Sequence, residues 1–521
     1  MIFPELTFHG AAGTVTGSCY ELVWHDKRII IDCGLFQGTR SLESLNHAPF
    51  NFMPRDIDAV ILTHAHLDHS GRIPLLYAQG CKAPLFCTAP TADIIFPLLL
   101  DSAELQAHDA TRRNRRLDRR FRPEFSPLYT SDDVKQCMHF VTRTNFCSKV
   151  ELGEQIGFRF WDARHIVGAA SVEICLGDIR ILFSGDLGNG KAITCAGAEL
   201  TGYDHVICES TYGDRVREPE LLAYRRDVLL EHINSSLDAG GNLLIPAFAV
   251  ERTQSVLEDM VALIECNKLA PVNIFVDTPL GETVTRATLK YRDSGLNPFA
   301  HANIHFVESV AQSRQLEHVR GAVIIAGSSM CTGGRIRSHL EHNLEDPASR
   351  VLFVGYQVSG TLGAILKSGA RHVRISGTDL KVRAQIHTMD SYSCHADRDG
   401  LIAWVKARLP ISGSVFLTHG EKESMMQFSA ALEAHITGTA ILEPTLGSCW
   451  KLPKANAASL TGSGRADAEA LVAQHDWQND LAAFQGALRS ALASLPDDHS
   501  RSAMMSRLQD SLVHKRISET D

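Results

Sequence analysis

The sequence predicts an α/β protein of two to four domains, and three observations support this prediction. The chain has 521 residues, and a domain commonly holds about 100–200 residues. Short runs rich in Val and Ile alternate with longer stretches of helical pattern, which is the order of an α/β fold. The runs are apolar at nearly every position, as expected for strands whose sheet is covered on both faces. The predicted strands are residues 28–32, 59–63, 179–184, 205–208, 242–245, 272–277, 323–326, 351–355, 381–387 and 414–418, and the predicted helices include residues 220–239 and 252–266.

Composition excludes several classes of protein. Hydrophobic residues make up 44 % of the chain and charged residues 21 %, as in globular proteins rather than disordered, collagen-like or coiled-coil ones. The longest apolar runs, such as residues 94–100, are far shorter than the ~20 residues of a membrane helix, and residues 1–10 lack the pattern of a secretory signal. Thirteen scattered cysteines without a CxxC pair favour a reducing compartment. We therefore expect a cytoplasmic protein without a membrane segment.

The formal net charge of −9 argues against nonspecific coating of a nucleic acid, which is typical of basic proteins. A polyanion would need a local basic patch or a bound metal. Residues 111–122 hold seven arginines and one acid, Asp118, on a predicted helix, which is either a solvated face or a phosphate-attracting patch beside a cleft. Residues 455–464 have the composition of a linker. Residues 467–495 and 500–514 have the pattern of two amphipathic helices. We expect these helices to serve docking or oligomerisation.

Polar residues follow directly after many of the predicted strands. Ligands in α/β proteins bind beyond the carboxyl ends of strands, so these residues predict one shared site, although polar loops are also common without function. The residues are Asp32, His64, Asp186, Glu209, Asp277 and His419.

The strongest chemical signal is the run HAHLDH at residues 64–69, directly after a predicted strand. In a turn that leaves a strand, His64 and His66 can face one cation while Asp68 and His69 reach a second. Imidazole nitrogens and carboxylate oxygens suit Zn²⁺, with Mn²⁺ or Fe as alternatives. Isolated histidines are usually structural, but so many polar groups at one strand end would be costly to bury without a ligand. The run therefore predicts a metal site.

Further candidate ligands follow along the chain: His165 before a glycine turn, Asp186 in SGDLG and His419 in LTHGE. In this order the residues resemble the metallo-β-lactamase superfamily. Within it the chain resembles the β-CASP branch of nucleic-acid nucleases, most closely the prokaryotic relatives of the endonuclease subunit of the cleavage and polyadenylation specificity factor. The resemblance covers residues 1–453. Its motif positions are Asp32, the 64–69 run, His165 and Asp186 for the superfamily, and Glu209, His395 and His419 for the branch.

The resemblance implies a metallo-β-lactamase αββα sandwich with an inserted β-CASP α/β domain and a short helical C-terminal extension. The sandwich would comprise residues 1–210 and 383–454, and the inserted domain residues 211–382. Residues 455–521 would form the linker and the extension, a candidate docking element in a homo-oligomer.

The resemblance also implies two metal ions, expected to be Zn²⁺. One would be bound by three histidines and the other by Asp68 and two more histidines, with Asp186 as a bridge. Asp32 would orient a ligand histidine without touching metal. The implied ligand sets are His64, His66 and His165 for the first ion, and Asp68, His69 and His419 for the second.

The implied reaction is hydrolysis of phosphodiester bonds in single-stranded RNA, either internally or from the 5′ end. A hydroxide held between the cations would attack phosphorus and expel the 3′-oxygen, leaving a 5′-phosphate. Catalytic roles fall to Asp68, to His395 as general acid and to Glu209, which would orient His395. The alternative for His395 is a structural histidine at a domain junction. His419 favours RNA, because DNA-preferring members of the branch typically have another residue there.

Loops with Gly, Ser and Thr in the inserted region are the candidates for RNA binding, because N–H groups and hydroxyls ahead of a helix suit phosphates. The chain departs from its relatives at Glu251, where Gly is frequent, and at Ala364, where Arg is frequent. Both departures are expected to weaken or narrow RNA binding. The candidates for RNA contact are Ser329, Gly333, Gly334, Arg335, Ser359, Gly360 and Thr361.

Three alternatives to a ribonuclease are open. A DNA-directed nuclease of the same branch is disfavoured by His419. A small-molecule metallo-hydrolase would not require the long insertion with Glu209 and His395. An inactive RNA-binding paralog would be expected to have lost ligands, whereas this sequence retains a residue of the required type at each motif position.

Overall fold

The computed structural model describes residues 3–116, 124–188, 201–217, 224–278, 280–291, 297–467, 481, 484–485, 487–488, 491–492, 494–495 and 497–518. Within these ranges, no helix combines the length and the apolar character needed to cross a membrane. The strands are β1 Glu5–Phe8, β2 Tyr20–Trp24, β3 Lys27–Ile31, β4 Ala59–Ile61, β5 Leu85–Thr88, β6 Val141–Thr144, β7 Lys149–Gly153, β8 Ile156–Asp162, β9 Ala170–Leu176, β10 Ile179–Phe183, β11 Tyr203–Glu209, β12 Leu243–Pro246, β13 Ile274–Asp277, β14 Ile304–Phe306, β15 Val323–Ala326, β16 Arg350–Phe353, β17 His372–Ile375, β18 Thr378–Lys381, β19 Gln385–Thr388, β20 Ile411–Thr418, β21 Ala440–Leu442, β22 Ser448–Lys451 and β23 Ser459–Ser463.

Helices alternate with these strands through most of the chain. The α-helices are α1 Arg40–Ser44, α2 Leu67–Ser70, α3 Ile73–Ala78, α4 Ala89–Arg116, α5 Ser131–Met138, α6 Arg225–Asp238, α7 Arg252–Glu265, α8 Gly281–Leu289, α9 Val310–Gln315, α10 Ile336–Asn343, α11 Leu362–Lys367, α12 Arg398–Lys406, α13 Lys422–Glu433 and α14 Asp498–Ser518. Short 3₁₀ turns lie at Leu45–His47, Pro54–Asp56, Pro298–Ala300, Leu316–His318 and Asp390–Tyr392.

Two sheets pack face to face and form the predicted αββα sandwich. Their strand orders are β23-β22-β1-β2-β3-β4-β5-β6 and β21-β20-β11-β10-β9-β8-β7. Aromatic pairs such as Phe8 and Phe416, with ring centroids 5.2 Å apart, fill the space between them. In β3, Ile29 and Ile31 face this inner core, whereas Ile30 faces the outer core under the helices. Burial on both faces explains why the strands are apolar at nearly every position.

The third sheet belongs to the inserted region and has the order β14-β13-β15-β12-β16-β19, with parallel pairing throughout. Separate apolar clusters cover its two faces: Ile245 lies in one, and Leu244 lies in the other. The insertion separates β11 from β20, which nevertheless pair in parallel in the second sheet, with Glu209 opposite Thr418. The chain therefore leaves the sandwich at one strand and returns through its immediate neighbour.

Two predictions of local structure are wrong. The single strand expected over residues 381–387 is two strands: β18 forms a hairpin with β17, and β19 pairs with β16 in the third sheet. The apolar residues Val382 and Ala384 lie between the two strands, so the sequence shows no sign of the break there. The expected linker 455–464 contains β23, an edge strand on β22. It is mostly exposed, so its small polar residues carry no strand-like alternation.

The C-terminal extension is described only in part. Much of the predicted helix over residues 467–495 lies outside the described residues, while α14 covers the predicted helix 500–514. Its role in docking or oligomerisation stays a prediction.

Candidate active site

The histidine-rich turn is held in place by the neighbouring strand. Strands β3 and β4 pair in parallel, so the residues that follow them meet at one sheet edge. Asp32, after β3, has a φ of +59° and accepts hydrogen bonds from Thr63 N and Thr63 Oγ1, both at 2.8 Å. Gly34 packs so closely on the turn that a Cβ at this position would collide with the carbonyl oxygen of Asp68. Backbone contacts thus fix the direction in which the HxHxDH residues point.

The first group of convergent ligand atoms matches the predicted set. One ligand atom from each of His64, His66, His165 and Asp186 lies within 4.8 Å of all the others. His66 Nδ1 lies 3.0 Å from His64 Nε2 and 3.2 Å from His165 Nε2. Asp186 Oδ2 lies 3.5 Å from the Nε2 atoms of both His64 and His165.

The second group lies on the other oxygen of Asp186. Ligand atoms of Asp68, His69 and His419 fall within 4.8 Å of one another. The Nε2 atoms of His69 and His419 are 3.1 Å apart, and His419 Nε2 is 3.6 Å from Asp68 Oδ2. Asp186 Oδ1 lies 3.1 Å from His69 Nε2 and 3.5 Å from His419 Nε2. Asp186 therefore presents one oxygen to each group, as expected of a bridging ligand.

The chemistry of these groups fits bound cations. Asp186 is buried, and its Oδ1 has no hydrogen-bond partner among the described residues. Burial lowers the pKa of His66 to about 4 and that of His64 well below its usual value. Burial also opposes the charged form of His69, but Asp186 and Asp32 raise its pKa well above the usual value, so a cation bound there would displace a proton. Burial opposes ionisation of Asp186, but the surrounding histidines, His419 first, hold its pKa well below the usual value. Neutral imidazole and ionised carboxylate are the forms that bind metal.

Hydrogen bonds on the far side of two ligand histidines fix which nitrogen faces the centre. His69 Nδ1 donates to Asp32 Oδ2 at 2.7 Å. Thr211 Oγ1 donates to the carbonyl oxygen of His419 and can accept from His419 Nδ1, both at 3.0 Å. In each case Nε2 remains for a cation. The Asp32 role was predicted; that of Thr211 was not, although it follows Glu209 by two residues and could have been found there.

His395 and Glu209 form a pair beside the two ligand groups. His395 Nδ1 lies 3.1 Å from both oxygens of Glu209, and its Nε2 faces Asp186 Oδ2 at 3.8 Å. Glu209 also accepts from Leu187 N at 2.6 Å and from Thr211 N at 3.3 Å. Although Asp186, Glu209 and His395 are spaced for a cation, the Glu209 oxygens are already used. The carboxylate is thus better suited to orient His395.

The guanidinium of Arg335, which was predicted to contact phosphate, has three hydrogen-bond partners within the protein. Its Nη1 donates to Asp277 Oδ1 at 2.6 Å and to the Val307 carbonyl at 2.9 Å, and its Nη2 donates to the Glu308 carbonyl at 3.0 Å. Asp277 is fully buried and also contacts His339 Nε2 at 2.6 Å. The guanidinium of Arg335 is thus committed to the interior of the inserted region, and Asp277 is its partner rather than a member of the shared site.

The other predicted RNA-binding residues lie in turns, and some of the polar atoms there already form hydrogen bonds within the protein. Thr361 Oγ1 accepts from Ala364 N at 3.2 Å and caps α11, so this hydroxyl is structural. Ser359 N donates to Glu421 Oε1 at 3.0 Å, while the residue itself is exposed. Ser329 is fully buried, and its Oγ lacks a partner among the described residues. Gly333, Gly334 and Gly360 lie in the same turns, with Gly334 and Gly360 at positive φ. RNA contact at these positions stays a prediction.

Glu251 and Ala364, the two positions at which the chain departs from its relatives, both lie at the start of a helix. Glu251 precedes α7 with φ of +70° and ψ of −52°, and Arg252 N donates to the Val250 carbonyl at 2.9 Å, which defines a γ-turn. Positive φ there explains a preference for Gly. Ala364 lies in the first turn of α11. Of the arginine-rich segment, residues up to 116 lie on α4, with Arg112 paired to Asp109, and 117–123 lie outside the described residues.

Comparison with family models covers three parts of the chain. Residues 12–131 match the metallo-beta-lactamase superfamily, residues 253–366 the Beta-Casp domain, and residues 379–442 the Zn-dependent metallo-hydrolase RNA specificity domain. The chain belongs to the β-CASP branch of the metallo-β-lactamase superfamily. Asp32, the 64–69 run, His395 and His419 of this β-CASP chain fall inside the matched ranges. His165, Asp186 and Glu209 fall outside them, and their assignment rests on the geometry above.

The chain is similar in sequence to several bacterial and archaeal proteins over most of its length. The chain is 36 % identical over 439 residues to Ribonuclease TTHA0252 of Thermus thermophilus, covering 81 % of this chain and 94 % of that protein. It is 27 % identical over 444 residues to an RNase J-like protein of Methanocaldococcus jannaschii, covering 82 % and 95 %. It is 28 % identical over 454 residues to Transcription termination factor FttA of Methanosarcina mazei, covering 82 % and 68 %.

Proposed function

We propose that this β-CASP chain is a ribonuclease that uses two metal ions, expected to be Zn²⁺, to hydrolyse phosphodiester bonds of single-stranded RNA. The observation that carries the proposal is the sharing of Asp186: one oxygen faces His64 and His165, and the other faces His69 and His419. Relatives named as ribonucleases support RNA as the substrate class, and the cytoplasm is the expected place of action.

The residues that would hold the cations are those of the two ligand groups. When bound, two divalent cations would supply a water of low pKa and positive charge for the scissile phosphate. Asp32 and Thr211 keep the Nε2 atoms of two ligand histidines directed at the centre, which favours metal affinity.

His395 is the residue we assign to protonation of the leaving 3′-oxygen, so that the product carries a 5′-phosphate. Its Nδ1 donates to Glu209, and its Nε2 faces the centre, where a proton can be delivered. Glu209 is a positioning residue, because its oxygens are held by Leu187 N and Thr211 N and in turn hold the imidazole.

The experiment compares metal-loaded protein on single-stranded RNA labelled at the 5′ or the 3′ end and on DNA of the same sequence. The variant Asp68→Ala, His69→Ala should lose bound zinc and RNA cleavage together, because it removes two ligands of the second group. Asp178→Ala, which changes an exposed carboxylate, is the matched control. Mononucleotides released from the 5′ end would indicate an exonuclease, and internal fragments an endonuclease.

Two outcomes would contradict the proposal. Undiminished cleavage by the double variant would show that these residues are not catalytic metal ligands. Cleavage of DNA alone would assign the chain to the DNA-directed nucleases of the branch.

A further inference from the structure

Arg252, the first residue of α7, is a buried cation for which the described residues supply no anionic partner. Its exposed fraction is 3 %, and its Nη1 has no hydrogen-bond partner among the described residues. Within the same residues, no carboxylate lies within ion-pair distance of its guanidinium. A buried guanidinium is unfavourable unless it is paired, so an unpaired one indicates that an anion is missing from the site.

The guanidinium lies one aromatic ring away from the metal ligands. Its Cζ is 5.3 Å from the centroid of the Phe248 ring, and that ring contacts the His66 ring at 5.5 Å.

Glycine makes room for this side chain on the opposite side. A Cβ at Gly355 would collide with Arg252 Nη1, so the guanidinium packs directly on the backbone after β16. The carbonyl oxygen of Gly355 accepts a hydrogen bond from Gln357 Nε2 at 3.2 Å. Gln357 Nε2 also donates to the Ser329 carbonyl oxygen at 3.1 Å. The Arg252 guanidinium thus packs against the turns that carry the predicted RNA-binding residues.

Unpartnered polar atoms of these turns are a second indication of a ligand. Ser329 is fully buried and Gln357 is 8 % exposed, yet Ser329 Oγ and Gln357 Oε1 lack hydrogen-bond partners among the described residues. Such orphaned groups are rare in folded proteins unless a ligand or water satisfies them. Val15 of the sandwich and Val358 of the inserted region lie in one apolar cluster, and Phe248 packs against this cluster.

We infer that Arg252 is a positioning residue that binds a phosphate of the RNA backbone next to the scissile phosphate. The guanidinium fork matches two phosphate oxygens, and it would lose less by burial than an ammonium group. Cations held by the two ligand groups would bind the scissile phosphate, so Arg252, separated from His66 by one ring, would hold a neighbouring one. This inference rests on the proposed ribonuclease function.

The test measures equilibrium binding of a fluorescent single-stranded RNA to metal-loaded protein carrying His395→Ala, which slows turnover. Adding Arg252→Ala should weaken binding about tenfold or more, and Arg252→Lys should weaken it less. The slope of log affinity against log salt should fall by about 0.7 for the lost phosphate contact. Arg286→Ala, which removes an exposed arginine paired with Glu282, is the control and should leave both quantities unchanged.

A neutral methylphosphonate linkage separates a phosphate contact from a structural role. Placed beside the scissile position, it should weaken binding to Arg252-containing protein but cost nothing further in the Arg252→Ala protein. Equal costs in both proteins would overturn the inference. If Arg252→Ala does not fold, the linkage is moved along the RNA with Arg252 retained, and Arg252→Lys replaces the alanine variant.

The two proposals fail in different ways. Absence of RNA binding by every protein, including the one with Arg252, would contradict the ribonuclease function itself. Tight binding that is indifferent to Arg252 and to the neutral linkage would refute only the role of Arg252.

Discussion

Replacing His395 with Ala tests the assignment of the proton donor. Its Nδ1 is fixed by both Glu209 oxygens at 3.1 Å, so the imidazole can turn only Nε2 toward the centre. A positioned general acid contributes about 10²–10⁴-fold to the rate. His395→Ala should therefore lower kcat on RNA by this factor, which corresponds to about 3–5 kcal/mol of activation free energy.

The assay compares two substrates that differ in their need for a proton. The 3′-oxygen of RNA leaves as a strongly basic alkoxide unless it is protonated, whereas bis(p-nitrophenyl) phosphate releases a stable anion. His395→Ala should therefore lose RNA cleavage but retain most hydrolysis of the nitrophenyl ester. Bound zinc, measured by mass spectrometry, should stay unchanged, because His395 lies outside the two groups assigned to the cations, and Glu209, its neighbour in the third cluster with Asp186, already accepts hydrogen bonds from Leu187 N and Thr211 N.

Two results would refute this reasoning. Loss of zinc from His395→Ala would make His395 a metal ligand. An equal loss of rate on both substrates, with zinc retained, would mean that His395 supports the centre rather than donating a proton. Glu209→Gln provides a graded comparison, since the amide can still contact His395 without its negative charge, and it should slow RNA cleavage less than His395→Ala does.

Three further predictions concern affinity and stability. Asp32→Asn should weaken zinc binding about 10–100-fold in competition with a chelator, because the charged partner of His69 Nδ1 is lost; unchanged affinity would contradict that role. Glu251→Gly should raise the free energy of unfolding in urea by about 1 kcal/mol, because its φ of +70° strains a residue with a Cβ; an equal gain from Glu251→Ala would argue against strain as the cause. Arg335→Ala should lower the same free energy by about 2–3 kcal/mol, because the buried Asp277 loses a partner, while the salt dependence of RNA binding should not change.

The metal ligands could be predicted from sequence because their signal is local or fixed by the sheet. The 64–69 run is a short pattern that few structural histidines produce by chance. His165, Asp186 and His419 were predicted from their order after this run, which resembles the family, and each follows a strand of one sheet, whose strands end at a common edge. The resemblance implied Asp186 as a bridge, and in the structure its two oxygens face different ligand groups.

The RNA-binding residues were harder to predict, because a polar side chain in a loop does not reveal its partner. Arg335 was expected to bind phosphate, yet its carboxylate partner, Asp277, lies 58 residues earlier in the chain. Conversely, nothing in the sequence distinguishes Arg252, a helix-starting residue beside the unusual Glu251, from an ordinary exposed arginine. Its significance depends on an anionic partner that the described part of the chain does not supply, and only packing in three dimensions shows this.

The connection between the sandwich and the inserted region also links substrate binding to catalysis. The insertion leaves after β11, which ends at Glu209, and the returning chain delivers His395 before it enters β20. Ala396 N donates to the Leu187 carbonyl at 2.6 Å, so the returning segment is anchored one residue from Asp186. A displacement of the inserted region would thus pull on His395, while the histidines of the 64–69 run are held by β3 and β4. His395, the proposed proton donor, should therefore respond to substrate in the cleft more than the histidines of the 64–69 run do.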